Sequence, residues 1–563
     1  MVHHASTPDV SPLRFGFPAG GIGDPATDPL PLAERVPAKI LARQAARAPS
    51  RPFVFFAGRW ITYGEADERA NRAANALAAA GVHKGARVGV VLRNRLEFLD
   101  LWFGLSRLGA IQVPLNPEYR ALQLTHVFKR APIDVVVVEH GLLTEVESAV
   151  AELGTAPRMI VLDGAALPES YLRYEELLAS APNEPPAEAE CVSGADVASV
   201  MNTSGTTGPS KGVLVSHAQQ YILGRMIAAD VELREDDVFY NFFPLFHNTA
   251  QAMITVPVLL LGARMVLTDR FSVSRFWPDI AEHRCTVLYY IGEIVRMLLN
   301  STTQQDARDS TLRVGWGIGA SPSDFTEFGR RYSVAMRTGY GSTEANVPCF
   351  LPHGAGPDSV GKCVPGFQVR IANDAGEPVP VGAVGEILVR SDEPCAVMMG
   401  YDGDPVATVA AWQNLWFHTG DAGCVDAEGN VYFKGRVKDA IRVRGENISA
   451  FEVEQVIGEL HGVAEVAAIA VPSELGGDAL KIVVVPQAGA DLTHEALILH
   501  AEQRLPRYSI PRYIEFVAAL PKTPTNKVQK NVLRAAPFTA STWERPQAAR
   551  QRSGGDAARQ TSN

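Results

Sequence analysis

Cysteine is scarce in this sequence: its 563 residues include only six, and no two of them form a C-x-x-C pair. A disulfide framework or a structural zinc site requires denser or closer spacing. The sequence therefore argues against a disulfide-stapled or zinc-held domain, and we expect reduced thiols that are mostly packed in the interior.

Long apolar runs are also missing. The N-terminus is rich in Pro and Gly and has no apolar segment of the kind found in a secretory signal. The most apolar stretch, Ala250 to Leu267, is interrupted by Pro257, Gly262 and Arg264, whereas a membrane span needs about 20 cleanly apolar residues. We expect a cytoplasmic protein without a membrane span, in which this stretch is a buried helix that runs into a strand.

Basic residues are not in excess: 52 Lys and Arg stand against 62 Asp and Glu, which gives a formal net charge of −10. This balance argues against a protein that mainly binds nucleic acid or an anionic membrane, but it allows a local basic pocket for phosphates. What the chain does have is an ordinary globular composition, with 46% hydrophobic and 20% charged residues. Its length suggests about two to four domains.

Apolar strand patterns alternate with helical patterns along most of the chain. The strings RVGVVL, AIQVPL, IDVVVVE and RMIVLD are typical of strands that are covered on both faces. This alternation predicts the α/β class, with a large N-terminal domain of doubly wound, largely parallel sheets. From Gly382 the pattern changes to short antiparallel strands, which predicts a small barrel-like piece, and a small, mobile α+β C-terminal domain follows.

Both ends of the chain are polar and without periodicity, which predicts tails that do not fold. The predicted divisions are a disordered tail at 1–30, a large N-terminal domain at 31–438, a C-terminal lid domain at 439–540 and a second disordered tail at 541–563.

The segment from Asn202 to Gly212 reads NTSGTTGPSKG and combines hydroxyls, glycines and a single lysine. Unhindered backbone N–H groups and hydroxyls with one cation are suited to wrapping polyphosphate oxygens. The spacing does not match the nucleotide-hydrolase loop G-x-x-x-x-G-K-[ST], because two residues separate Gly208 from Lys211. The alternative is an ordinary flexible loop between strands.

This loop resembles the Ser/Thr/Gly-rich phosphate loop of the adenylate-forming superfamily, which includes acyl-CoA synthetases, carrier-protein adenylation domains and firefly-type luciferases. Further strings resemble that family's motifs in the family's order: TGYGSTEAN (338–346), HTGDAG (418–423), GRVKDAIRVRGENIS (435–449) and PKTPTNKVQK (521–530). Together they cover roughly residues 30 to 540. The strings LYYIGEIVRMLL and RVGWGIGASPSDF look closest to the fatty-acid-transport-type and crotonobetaine/carnitine-CoA ligase branches.

The resemblance implies a binding site for ATP and AMP. Tyr340 would present a flat face to the purine, Thr343 a hydroxyl to a phosphate, and Glu344 a hard carboxylate oxygen to Mg²⁺. Asp421 would accept hydrogen bonds from the ribose diol, and Arg436 would add a ribose contact. The implied nucleotide-binding residues are Thr203, Ser204, Gly205, Thr206, Thr207, Gly208, Lys211, Gly319, Ala320, Ser321, Gly339, Tyr340, Gly341, Asp421 and Arg436.

Lys527 is the implied catalytic residue of the first half-reaction, together with Thr343 and Glu344. A carboxylate that attacks an α-phosphate brings like charges together, and a cation that bridges both lowers the barrier. The sequence departs from the family pattern at Asn526, because glycine usually precedes this lysine. Asp439 falls at the family's hinge, about which the C-terminal domain swivels between two poses. The residues implied to face CoA are Arg442, Arg444, Gly445 and Glu446.

The family's acyl pocket lies beside the strings at 242–250 and 288–299. The residues implied to line it here are His247, Tyr290 and Gly292. His247 is equally well read as a packed core histidine, and Glu293 is a candidate partner for a cationic acid such as a betaine. An aliphatic, alicyclic or terpenoid-like acid fits the apolar wall better than an amino acid, because no Asp is placed to hold an α-amine.

The sequence therefore predicts an AMP-forming acid–thiol ligase. A carboxylic acid and ATP would give acyl-AMP and pyrophosphate, and CoA would then displace AMP to form the thioester. The implied cofactors and partners are ATP, Mg²⁺, coenzyme A and a small-molecule acid, with no nucleic acid. The alternatives that stay open are loading of a carrier-protein phosphopantetheine, a protein that performs mainly one half-reaction, and a non-catalytic nucleotide- or acyl-binding protein.

Overall fold

A computed structural model describes residues 30–164, 167–203, 211–437, 440–443, 446–472, 478–523 and 527–546. The chain divides into two compact units between Val437 and Lys438, and the functional domain boundaries given above stay a prediction. Among the described residues, no helix is long and apolar enough to cross a membrane. The elements below confirm the predicted α/β class.

The larger sheet of the N-terminal unit has nine strands, of which the central ones run parallel. In spatial order they are β16 (Lys362–Cys363), β15 (Asn346–Phe350), β14 (Ala335–Ser342), β13 (Val314–Ile318), β12 (Val287–Ile291), β10 (Val238–Asn241), β11 (Arg264–Leu267), β1 (Pro52–Phe56) and β2 (Arg59–Thr62). Antiparallel pairing is confined to the two edges, where β14, β15 and β16 follow one another and β2 returns along β1.

A second sheet of eight strands has the same parallel character. Its spatial order is β19 (Gly400–Tyr401), β9 (Lys211–Ser216), β8 (Val197–Thr203), β4 (Ile111–Pro114), β3 (Arg87–Val91), β5 (Val135–Glu139), β6 (Arg158–Leu162) and β7 (Leu172–Arg173). The apolar strings noted in the sequence form its centre, and β3, β5 and β6 are buried along most of their lengths. All-apolar strands of this kind need cover on both faces.

Helices connect the strands of both sheets, which is the doubly wound arrangement. They are α1 (Pro37–Arg47), α2 (Tyr63–Ala79), α3 (Leu96–Leu108), α4 (Ala121–Arg130), α5 (Leu143–Val150), α6 (Tyr174–Ser180), α7 (His217–Asp230), α8 (Val256–Leu261), α9 (Val273–His283), α10 (Gly292–Ser301), α11 (Pro322–Tyr332) and α12 (Pro405–Ala411). The Ala-rich α2 begins at a capping box, because the Thr62 side chain accepts the Glu65 N–H and the Glu65 carboxylate accepts the Thr62 N–H. The predicted apolar stretch is a π-helical segment (Thr249–Thr255) that continues into α8 and then β11.

The antiparallel piece predicted after Gly382 is a five-stranded sheet. Its strands are β17 (Phe367–Ala372), β18 (Gly385–Ser391), β21 (Trp416–Val425) and β20 (Trp412–Gln413) in spatial order, with β22 (Val431–Arg436) also paired to β21.

The C-terminal unit is a small α+β fold. A sheet contains β25 (Val463–Pro472), β26 (Asp478–Pro486), β27 (Tyr513–Phe516) and β28 (Trp543–Glu544), and a separate hairpin contains β23 (Ala440–Val443) and β24 (Glu446–Ser449). The helices are α13 (Ala450–Gly458), α14 (His494–Arg504) and α15 (Lys530–Ala535).

Strand β28 lies inside the segment that the sequence predicts as a disordered tail from residue 541. Trp543 pairs with Ile514 and packs against the core of the C-terminal unit, and Arg512 forms an ion pair with Glu544 at 2.8 Å. Ordered structure therefore extends past the predicted end of the fold, because this short strand depends on partners about 30 positions earlier and has no periodicity of its own.

A cluster of charged groups surrounds the buried Asp230, where α7 ends. Asp230 is fully buried, and burial raises the pKa of its carboxyl group. His353 Nε2 lies 3.6 Å from Asp230 Oδ1 and 3.2 Å from the backbone carbonyl oxygen of Asp230. The contact with Asp230 raises the pKa of His353 above its ordinary value of 6.5. Arg337 and Glu232 are the other charged groups that act on His353, the second at 3.5 Å from Nδ1.

We expect this cluster to make stability depend on pH. Because the folded-state pKa of His353 is raised, its pairing with Asp230 stabilises the fold fully below the unfolded pKa, and that contribution is lost as pH rises through the folded pKa. His353 is partly exposed, so the effect is small, about one or two degrees in the thermal midpoint. Melting of wild type and His353→Gln between pH 6 and pH 9 tests this: only the wild type should show the decline, and identical curves would contradict it.

Candidate active site

Adjacent parallel strands of the nine-stranded sheet end beside the motif residues. In the order β10, β12, β13 and β14, the segments at or just beyond their carboxyl ends are 242–250, 292, 319–321 and 338–342. In open α/β sheets, ligands bind at the carboxyl ends of the strands. The topology therefore brings the predicted acyl and nucleotide segments to one edge of one sheet.

Strand β14 lies very close to β15 around Tyr340. A Cβ atom at Gly339 or Gly341 would overlap backbone oxygens of β15, so glycine on both sides of Tyr340 permits this pairing. Tyr340 is buried, and its hydroxyl donates a hydrogen bond of 2.6 Å to Asp421 Oδ2. Burial, and then the neighbouring Asp421 carboxylate, raise the pKa of Tyr340 well above its ordinary value.

The carboxylate of Asp421 joins the predicted purine and ribose residues. Its Oδ1 pairs with Arg436 Nε at 2.9 Å, while Oδ2 accepts from Tyr340. The Asp421 side chain is 5% exposed, whereas that of Arg436 is 48% exposed. Each carboxylate oxygen can accept more than one hydrogen bond, so both retain capacity for hydroxyl donors such as a ribose diol.

A second contact chain connects the predicted lysine and the predicted metal ligand. Lys211 Nζ lies 4.4 Å from the centroid of the Tyr401 ring, and the Tyr401 hydroxyl donates to Glu344 Oε1 at 3.3 Å. Burial and the Glu344 carboxylate raise the pKa of Tyr401. The backbone of Thr343 is held by Gln219 Nε2, which donates to its carbonyl oxygen at 2.8 Å.

The two ends of the predicted phosphate loop pair with each other. Thr203, at the end of β8, lies opposite Lys211, at the start of β9, and its hydroxyl donates to the Lys211 carbonyl oxygen at 3.3 Å. The loop residues between them that the sequence singles out, Ser204, Gly205, Thr206, Thr207 and Gly208, lie outside the described residues.

A predicted acyl segment and a predicted nucleotide-binding segment meet at a close backbone contact. A Cβ atom at Gly292 would overlap the carbonyl group of Gly319, so the start of α10 can lie against the end of β13 only without a side chain. Tyr290 is fully buried, and its hydroxyl donates to the Arg337 carbonyl oxygen at 2.7 Å. Ala320 is partly exposed, and Ser321 caps α11 by accepting the Asp324 N–H at 3.1 Å.

His247 is half-buried in the turn that precedes the π-helical segment, with its ring centroid 4.6 Å from that of Phe246. Its turn is held from two sides, because Gln251 Nε2 donates to Leu245 O at 2.8 Å and Asn94 Oδ1 accepts the Leu245 N–H at 2.8 Å.

The predicted residues of the C-terminal unit are described only in part. Lys527 is exposed, and Arg442 and Glu446 lie on the backbones of β23 and β24. The hinge residue Asp439 and the CoA-side residues Arg444 and Gly445 lie outside the described residues, as does Asn526.

The residues at this site are suited to Mg²⁺ bound together with phosphates. Among the described residues, no group of three or more His, Cys, Asp and Glu side chains could hold a metal ion. Mg²⁺ is usually held by one or two carboxylates while phosphates and waters complete its shell. The half-buried Glu344 beside Tyr401 fits that role.

The sequence did not indicate Tyr401 or Glu386. Glu386 accepts hydrogen bonds from His418 and Gly420 of the string HTGDAG (418–423), which we call the ribose motif. Each contacts residues that lie far away along the chain, so no local pattern marks it. The Gly-Tyr pair at 400–401 repeats the Gly-Tyr pair of the string TGYGSTEAN (338–346). This repeat was the one local feature that could have indicated Tyr401 as a site residue.

Replacing Tyr401 tests the contact chain between Lys211 and Glu344. We expect Tyr401→Leu to lower kcat/KM for ATP by about tenfold, because the ring that holds the Lys211 ammonium is lost. Tyr401→Phe keeps the ring and removes a long hydrogen bond, so a loss below about threefold is expected. Steady-state kinetics with varied ATP distinguish the variants, and equal losses would show that the ring has no separate effect.

A family model described as AMP-binding enzyme matches residues 41–402, and another described as AMP-binding enzyme C-terminal domain matches residues 452–527. The first match alone covers more than half of the chain. The chain belongs to the AMP-binding enzyme family. This confirms the family resemblance seen in the sequence motifs.

Similar proteins support the same class. The chain is 30% identical over 488 residues to a crotonobetaine/carnitine–CoA ligase of Proteus mirabilis (strain HI4320), across 84% of this chain and 93% of that protein. The fold of this chain is similar to that of ATP-bound MatB from Rhodopseudomonas palustris, with a TM-score of 0.78 and 27% identity. The match covers 89% of this chain and 98% of the MatB chain. The fold is also similar to that of the anthranilate CoA ligase AuaEII in complex with anthranoyl-AMP, with a TM-score of 0.82, 26% identity and coverage of 90% and 98%.

These findings confirm the predicted activity class. This AMP-binding enzyme is an AMP-forming acyl-CoA synthetase that uses ATP, CoA and a small-molecule acid. The roles of individual site residues and the identity of the acid stay predictions.

Proposed function

We propose that this enzyme activates a carboxylic acid with an uncharged aliphatic or alicyclic chain as its acyl-AMP and transfers the acyl group to CoA. The main support for nucleotide binding is that Tyr340 and Arg436 contact the two oxygens of the Asp421 carboxylate. This arrangement supports a pocket that places a purine beside Tyr340 and a ribose diol against Asp421.

The strand ends beside Gly292 and Gly319 support the apolar character of the acid. Ile291 and Ile318 lie opposite each other at the carboxyl ends of β12 and β13, and both are partly buried apolar residues. Glu293, the candidate partner for a cationic acid, is exposed at the start of α10. Apolar side chains at the strand ends favour an uncharged hydrocarbon chain over a betaine.

In the first half-reaction, the carboxylate of the acid attacks the α-phosphorus of ATP and pyrophosphate leaves. Lys211 neutralises charge on the departing phosphates, and Lys527 stabilises the charge that the attack brings together. Mg²⁺, held by Glu344 and the phosphates, would neutralise further phosphate charge when bound.

In the second half-reaction, the CoA thiolate attacks the acyl carbonyl carbon, and AMP leaves with the bonding electrons. Swivelling at Asp439 would exchange Lys527 for the CoA-side residues Arg442, Arg444, Gly445 and Glu446 between the two steps. The predicted cytoplasmic location belongs to this proposal, and a carrier-protein phosphopantetheine is the alternative acceptor.

ATP–pyrophosphate exchange with a panel of aliphatic, alicyclic, aromatic and betaine acids tests the proposal. We expect exchange to be fastest with an uncharged aliphatic or alicyclic acid, followed by CoA consumption when the matching acyl-AMP is supplied. Fastest exchange with the betaine would overturn the proposed acid class. Exchange without CoA consumption would favour a carrier protein or an enzyme of one half-reaction.

A further inference from the structure

Strand β21 bulges opposite β18 at the ribose motif. Glu386 of β18 pairs with Ala422 of β21, and Leu388 pairs with His418. One residue of β18, Ile387, therefore lies opposite three residues of β21, 419–421. Regular pairing would place one residue of β21 there. A bulge leaves ladder groups unpaired and re-aims side chains, and bulges are frequent beside active sites.

The side chain of Glu386 contacts one backbone group inside this bulge and one side chain at its edge. Its Oε1 accepts the Gly420 N–H at 2.8 Å, and its Oε2 lies 2.8 Å from His418 Nδ1. Gly420 has a φ of +71°, in the left-handed region that glycine adopts readily. On the other side, the Thr419 hydroxyl donates to the Ile387 carbonyl oxygen at 2.6 Å. One carboxylate thus contacts both the paired residue that precedes the bulge, His418, and Gly420 within it.

The bulge determines where Asp421 points. Asp421 follows Gly420 directly, pairs across the sheet with Arg436 of β22, and reaches Tyr340 of the nine-stranded sheet with its carboxylate. Glu386 does not contact the Asp421 carboxylate in either of its hydrogen bonds. It contacts the backbone N–H of Gly420, which directly precedes Asp421, and the side chain of His418.

We propose that Glu386 is a positioning residue for the nucleotide, which holds the bulge so that Asp421 presents its carboxylate to the ribose diol. The inference rests on the proposed function, because it requires Asp421 to be the ribose-binding residue. Glu386 would act through the backbone of the bulge, although it is separated from the ribose motif by about 30 positions of chain.

Calorimetric titration with AMP, 2′-deoxyAMP and 3′-deoxyAMP tests this role without requiring turnover. Wild type should bind AMP more tightly than both analogues, because each analogue leaves part of the Asp421 site unpaired. In Glu386→Ala, we expect AMP binding to weaken about tenfold and binding of the analogues by less than about threefold, so that the preference for the diol is lost. Glu386→Gln keeps an oxygen for the Gly420 N–H and should retain most of the preference.

Asp392→Asn is the matched control, since this carboxylate follows β18 directly and accepts from Gln368 Nε2 at 2.9 Å, apart from the bulge. Its diol preference should equal that of wild type. A wild-type preference in Glu386→Ala, or equal weakening of AMP and both analogues, would overturn the inference. If Glu386→Ala does not fold, Glu386→Asp decides by the same ratio, because its shorter side chain cannot span both partners.

Failure of the proposed function would look different. If the wild type prefers AMP and Glu386→Ala loses that preference, but no acid supports pyrophosphate exchange, the proposed activation of the acid is overturned and the positioning role is supported. A wild-type protein with no diol preference would overturn the positioning role, whatever its exchange activity.

Discussion

Replacing Lys527 with alanine is expected to slow ATP–pyrophosphate exchange by about two to three orders of magnitude. The attacking carboxylate and the α-phosphate are both anions, so the barrier rises steeply when the cation between them is removed. The local backbone should survive the change. Thr523 N–H donates to the Lys527 carbonyl oxygen at 2.8 Å, and Lys527 N–H donates to Thr523 Oγ1 at 3.1 Å, and neither bond involves the ammonium group.

The second half-reaction provides the comparison. CoA consumption from supplied acyl-AMP should fall by less than about threefold in Lys527→Ala, because no phosphate is attacked in that step. Lys522→Ala is a matched control from the same motif, in which the lysine pairs with Glu465 at 2.7 Å, and its exchange rate should stay near that of wild type. Equal loss of both half-reactions in Lys527→Ala would refute the assigned role.

Asp421→Asn is expected to lower kcat/KM for ATP by about ten- to a hundredfold. The amide keeps one oxygen for the Tyr340 hydroxyl, but it removes the negative charge that Arg436 contacts and one acceptor of the proposed diol bonds. Hydrogen bonds to a charged group are worth about 1.5–3 kcal/mol each, which corresponds to this range. The loss should appear mainly in KM for ATP, because the ribose does not change during the reaction.

Asp426→Asn, on the turn between β21 and β22, provides the same chemical change nearby. Its carboxylate accepts from Asn430 and Tyr432 at 2.8 and 2.9 Å, and the substitution should leave KM for ATP within about threefold of the wild-type value. If Asp421→Asn changes kcat alone and leaves KM for ATP unchanged, the carboxylate does not bind the ribose.

The sequence predicted the features of this protein that depend on local order. The runs of Val and Ile in β3, β5 and β6 predicted covered parallel strands, because such strands need no alternation of polar residues. Composition and spacing are sufficient for such features.

Contacts between distant segments could not be predicted in this way. Tyr401 contacts Lys211, and Glu386 contacts the bulge at 418–420, only because the folded chain brings separate strands together. Strand β28 was missed for the same reason, since two residues carry no period. The sequence suggested Tyr290 as a pocket wall, which stays a prediction, but it did not indicate the hydrogen bond from the Tyr290 hydroxyl to the Arg337 carbonyl oxygen.

The contact between Gly292 and Gly319 limits how the acid preference of this enzyme can be changed by engineering. A side chain at position 292 would collide with the backbone of Gly319 and Ala320, so narrowing the proposed pocket there would displace α10 from the end of β13. Ile291 and Ile318 offer a safer route, since their partly exposed side chains can change size without moving the chain. Libraries for new acids should therefore vary these isoleucines and keep both glycines.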